Sequence, residues 1–146
     1  MNKKTIFLSV CVTMFSASIF AQGPDAKNVI INTSASVKVF YDQETLQSKN
    51  KRELLDLLIE RLKVITYTLP NIALTTKPGV TLSDIGVPQD QKNNDSLIKF
   101  QDATTSFINS STIFTNLMMP YADKSDIISG ILFYDNIIKS IKTVKE

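Results

Sequence analysis

The sequence predicts an all-α protein: a small antiparallel helical bundle of three to four helices with one long connecting loop. Three observations predict it. Leucine and isoleucine recur at three- and four-residue spacing from Leu55 to Leu69, aromatic residues recur at every seventh position from Phe100 to Tyr121, and isoleucines and Tyr134 recur at helical spacing from Ile127 to Ile141. Such periods lay apolar side chains along one stripe of an α-helix. Residues 22–146 therefore read as a single helical domain, with 22–49 its uncertain segment and 50–146 its core helices.

The chain opens with a different kind of sequence. Lys3 and Lys4 precede an uncharged apolar run from Thr5 to Phe20, closed by Ala21. That is the layout of a secretory signal peptide, assigned to residues 1–21 with cleavage after Ala21. A spanning helix needs roughly 20 apolar residues, so a retained anchor fits the run less well. Leu8-Ser9-Val10-Cys11 resembles a bacterial lipobox, but the apolar stretch before Cys11 is short and the run continues beyond it. Cys11, the one cysteine, is therefore read as part of the discarded signal, which leaves an exported chain with no disulfide.

In the next segment, Val29-Ile30-Ile31 is apolar and Val37, Val39 and Tyr41 alternate with Lys38 and Phe40. Alternation suggests a strand. Val37, Phe40, Tyr41 and Thr45 also share a helix face, and a lone strand in a helical chain has no partner, so the segment is read as helix. Asn50 with Glu53 then forms a capping box. Leu55, Leu58, Leu62, Ile65 and Leu69 follow as an inward stripe, widened by Leu54 and Leu57. Arg52, Glu53, Asp56, Glu60, Arg61 and Lys63 form the opposite, solvated face, and Pro70 stops the helix.

Asn71 to Asp95 form the long connection. Ile72-Ala73-Leu74 is read as an extension of the helix past a kink, Lys77-Pro78-Gly79-Val80 as a type II turn, and Thr81 to Asp84 as one capped helical turn. Asp95 or Ser96 is expected to cap the central helix, and Pro120 to close it. Its stripe of Phe100, Phe107, Phe114 and Tyr121, with Ala103, Ser110 and Leu117 between, is assigned to the core. The last helix starts near Asp123 or Ser125 and runs towards Lys142. Gly130 within it is expected to permit close approach of a neighbouring helix.

Composition narrows the function. There are 16 basic and 14 acidic residues, and removing Lys3 and Lys4 with the signal leaves the two in balance. A neutral chain argues against nucleic acid, whose binding rests on phosphate neutralisation, and against an electrostatic membrane binder; no stable membrane insertion is expected after the signal is removed. With 0 His, triads and His-ligated metal sites are excluded. The 4 Gly are scattered and form no phosphate loop. Glu53, Asp56 and Glu60 share a helix face but have basic neighbours, as a solvated face does. Asp90, Asn93, Asn94 and Asp95 gather oxygen ligands without the spacing of a calcium loop. No catalytic residue, metal or cofactor is assigned.

These features favour an exported, non-enzymatic module, periplasmic or secreted from a bacterial cell, that binds another protein or envelope component. The candidate docking site is the 75–91 loop, through Pro78, Leu82, Asp84, Ile85 and Val87: long loops in compact domains are often functional. The alternative is a small-ligand carrier or carboxylate-dependent hydrolase, with a cleft between that loop and the Phe-rich helix. A filled core with an exposed apolar patch on the loop supports the binder, and a solvent-reaching cavity lined by Phe100 or Phe107 supports the alternative. Mass spectrometry of the exported protein is expected to show a chain beginning at Gln22 without lipid; a diacylated Cys11 overturns the compartment and the domain limits together.

Overall fold

The structure, a computed structural model, describes residues 28–144. The signal peptide, Cys11 and the cleavage site after Ala21 lie outside the described residues. Four α-helices follow in order: α1 (Gln43–Ser48), α2 (Lys51–Thr68), α3 (Gln91–Met118) and α4 (Lys124–Thr143). The fold is all-helical, as the periodicities predict. Among the described residues no helix is long and apolar enough to cross a membrane.

Each helix starts where a side chain can take up an orphan N–H. Asn50 accepts from the Glu53 amide at 2.9 Å while the Glu53 carboxylate accepts from the Asn50 amide at 2.8 Å, the expected capping box. Asp42 begins α1 by accepting from the Thr45 amide, a bond that holds its carboxyl below the usual range. The cap of α3 is Asp90 rather than Asp95 or Ser96; it accepts from the Asn93 amide at 2.8 Å. Asn93 and Asn94 in turn donate to the carbonyls of Pro88 and Gln89, so this polar cluster builds the helix start. Pro70 and Pro120 turn the ends of α2 and α3 into single 3₁₀ turns.

The packing is up-down-up, with α2 in the middle. The Lys51 ammonium, at the start of α2, donates to the carbonyls of Pro120 and Ala122, so α3 ends where α2 begins. The larger core joins Leu46, Leu54 and Leu55 to Ile127, Ile128 and Ile131. A Cβ on Gly130 would stand 3.4 Å from Leu58, the anticipated close approach of α4 to α2. A second, smaller core joins Ile30, Ile31, Ala35, Leu82 and Leu97.

The 22–49 segment departs from expectation. Among its described residues only Gln43–Ser48 is helical; Val37, Phe40 and Tyr41 lie in irregular chain. The partner that a lone strand lacks is supplied by the long loop. Val29 bridges Thr81 in antiparallel fashion, the Ile30 amide donates to the Val80 carbonyl at 2.8 Å, and the Gly79 amide donates to the Ile31 carbonyl at 2.9 Å. Gly79 has φ +84°, as the third position of a type II turn demands. Ile72 to Leu74 form a turn closed on the Asn71 carbonyl instead of prolonging α2.

Arg61 is also misassigned by pattern. It is fully buried, not on the solvated face. Its Nε donates to Asp135 Oδ1 of α4 at 2.9 Å, its Nη2 to the Val39 carbonyl at 2.7 Å, and its Nη1 to Glu60. Asp135 is buried with it. The inward face of α2 thus rotates to Leu54, Leu55, Ile59, Arg61, Val64 and Thr68, and Leu69, the expected end of the stripe, is exposed. Removing one partner of a buried pair strands the other charge. Arg61→Met is expected to cost about 3–5 kcal/mol in urea melts, and Arg61→Met with Asp135→Leu to recover most of that loss; equal losses in single and double variants would contradict the pairing.

Candidate functional site

The long central helix has two faces that could pack, and α2 takes the less apolar one. Phe107 and Ile108 are neighbours in sequence, so they point about 100° apart on a helix. Ile108 is buried with Leu97, Thr104 and Thr115, while Phe107 and Phe114 are 56% and 57% exposed. Thr104 suits a close contact because its hydroxyl needs no outside partner. Thr104 Oγ1 donates to the Phe100 carbonyl of its own helix at 2.8 Å, leaving its methyl free to pack. The assignment of the Phe107–Phe114–Leu117–Tyr121 stripe to the core is therefore corrected: it lies outside.

The exposed face is continuous. Phe107, Phe114, Leu117, Met118 and Tyr121 lie along one side, with Ile113 at its edge, and Tyr121 is 89% exposed. From Ala103 to Ala122 the chain has no charged residue. Ala103, Ser106, Ser110 and Asn109 complete the exposed surface with small or neutral groups. Single exposed apolar residues are ordinary, but contiguous ones beyond a few hundred Å² mark contact surfaces. The seven-residue spacing marks one continuous stripe of α3, and that stripe is exposed.

The candidate docking loop is anchored through its apolar residues. Leu82 is buried, and Ile85 and Val87 pack against the smaller core beside Val80 and Tyr67. Pro78 and Asp84 remain exposed. Asp84 accepts from the Thr81 amide and from the Thr81 hydroxyl, both at 2.8 Å, and these bonds hold its carboxyl below the usual range. The structure brings Leu82, Ile85 and Val87 together on the inner side of the loop, and leaves Pro78 and Asp84 apart from them.

Two small hollows border this region. One, of about 170 Å³, is lined by Ile30, Asn32, Tyr67, Phe100, Gln101 and Thr104, among others. The other, also about 170 Å³ and more apolar, lies between Val64 and Thr68 of α2, Ile138 and Ile141 of α4, and Val37 and Pro78. Ligand pockets for drug-sized molecules usually span roughly 300–1,000 Å³. The carboxylates on the α2 face are each engaged locally: Glu53 in the cap, Asp56 with Arg52 at 3.6 Å, Glu60 with Arg61. Among the described residues no three of His, Cys, Asp and Glu gather as a metal site. No protein family, curated protein or solved structure matches the chain.

The inward and outward faces of α3 separate by stability. Ile108→Ala is expected to cost about 2–5 kcal/mol in chemical denaturation. Phe107→Ala and Phe114→Ser, on the outer face, are each expected to change stability by less than about 1 kcal/mol. Equal losses on both faces would mean that the Phe side is enclosed in solution.

Proposed function

We propose that this chain is an exported, non-enzymatic helical module that binds another protein or envelope component, and that it docks through the uncharged outer face of α3. One observation carries the proposal: the most apolar face of the longest helix is left outside while a threonine-rich face packs on α2. Burying that face against a partner is favourable at about 25 cal/mol per Å², and no ionic group has to be desolvated along it.

The other features support the same assignment. The carboxylates that a hydrolase would need are tied into caps and ion pairs. The hollow at Phe100 is smaller than typical carrier pockets and opens on Asn32, Gln101 and Asp102 rather than on an apolar tunnel. The 75–91 loop pairs with residues 29–31 and closes the smaller core, which suits a lid better than a docking surface. Export rests on Lys3, Lys4 and the apolar run to Ala21.

The test compares the exported protein with its Phe107→Ser, Phe114→Ser variant, both immobilised and exposed to solubilised envelope from the source cells. Circular dichroism and melting are expected to agree between the two, while the proteins retained by the native chain are lost from the variant. Identical retention by a folded variant would remove the α3 face from consideration.

A further inference from the structure

The spacing on that face specifies its occupant more closely. Phe100, Phe107, Phe114 and Tyr121 repeat every seven residues, with Ala103, Ser110 and Leu117 at the intermediate positions. A seven-residue repeat keeps its stripe facing a partner when that partner is another helix, each large residue entering a hole on the facing surface. The partner helix must also be free of charge, because the 103–122 face offers none to pair with.

We propose that the partner is a second copy of this chain, its α3 lying antiparallel on the first through the Phe face. This rests on the docking role of that face argued above. Size complementarity sets the direction. With Phe107 of one copy opposite Ser110 of the second, Phe114 falls opposite Ala103, and the two-fold axis repeats both pairs. Each exposed Phe thereby meets a small residue. Leu117 then meets Phe100, which is half-buried against Tyr67 and Ile30 and closes the end of the contact. A parallel pair would instead stack Phe on Phe and leave gaps at the Ala103 and Ser110 levels.

The area is sufficient. At about 200 Å² for an aromatic side chain, the exposed parts of Phe107, Phe114 and Tyr121 come to about 400 Å². Ile113, Leu117 and Met118 are 62%, 63% and 50% exposed and add most of the remainder of the roughly 800 Å² per partner that a stable interface needs. From Ala103 to Leu117 the contact is neutral and desolvates no charge; Lys99, beside Phe100, falls at its edge opposite Met118 of the second copy, so no like charges meet.

Two measurements test the proposal. Sedimentation equilibrium is expected to show a dimer for the native chain and a monomer for Phe114→Ser, with unchanged melting. In a Cys11→Ser background, Ser110→Cys places the two thiols about 5 Å apart along the helix axis, and Ala103→Cys places them about 16 Å apart. A short bis-maleimide is expected to cross-link the first and not the second. Cross-linking of both would overturn the antiparallel register, and cross-linking of neither would overturn the pairing. A native monomer that sediments with phosphatidylcholine vesicles, and ceases to do so as Phe114→Ser, overturns the second copy alone. A native monomer whose binding to envelope proteins and vesicles is indifferent to Phe114→Ser overturns the docking role as well.

Discussion

Arg61 holds three parts of the chain at one point inside the molecule. Its guanidinium is a rigid fork of donors, and the directions of that fork are occupied by Asp135 of α4, the Val39 carbonyl of the N-terminal segment and Glu60 beside it on α2. Buried ion pairs are poor sources of net stability, because desolvation offsets most of the attraction. Their geometry is another matter. If α4 slid along α2 by one turn, Asp135 would be buried without the guanidinium and Arg61 would lose one of its three partners, whereas the surrounding leucines and isoleucines would tolerate the slip far better. The pair therefore sets the register in which Leu54 and Leu55 meet Ile127 and Ile128.

The rest of the arrangement follows from that register. With α4 held on one side of α2, α3 packs on another, and its contact must be close because Thr104, Ile108 and Thr115 are short. The Val39 carbonyl fixes the N-terminal segment, which carries Ile30 and Ile31 to the far end of α2. There they meet Leu82 and Leu97 and form the smaller core. Lys139 and Lys142 of α4 stand over the Phe40 ring at 5.0 and 5.4 Å and fasten the same segment from outside. Among the described residues no element covers the outer side of α3, and its Phe face is exposed there.

Features decided by near neighbours were legible in the sequence. The Asn50–Glu53 box, the stops at Pro70 and Pro120, the turn at Gly79 and the Thr81–Asp84 cap all depend on residues within one turn. The number of helices was legible for the same reason, since periodicity is local. The inward face of α4 was legible as well, with Ile127, Ile131, Ile138 and Ile141 buried as expected; those of α2 and α3 were not, because they depend on which distant element arrives. Arg61 reads as a solvated charge until Asp135 is beside it. Val29 to Ile31 lack a strand partner until Gly79 to Thr81 come alongside. Phe107 is bulkier than Ile108, yet Ile108 lies on the side of Thr104 and Thr115, and Thr104 satisfies its hydroxyl within its own helix. The candidate binding face was visible as a repeat and invisible as a surface.

The location of Asp135 near the end of the chain bears on when folding can finish. During synthesis α2 emerges with Arg61 unneutralised, and the residues that must meet 29–31 follow much later. The isoleucines of the larger core come from the last helix. Contacts this distant in sequence form slowly, since long loops must close first. Completion of the fold therefore waits on α4, which brings Asp135 to Arg61 and the isoleucines to the larger core.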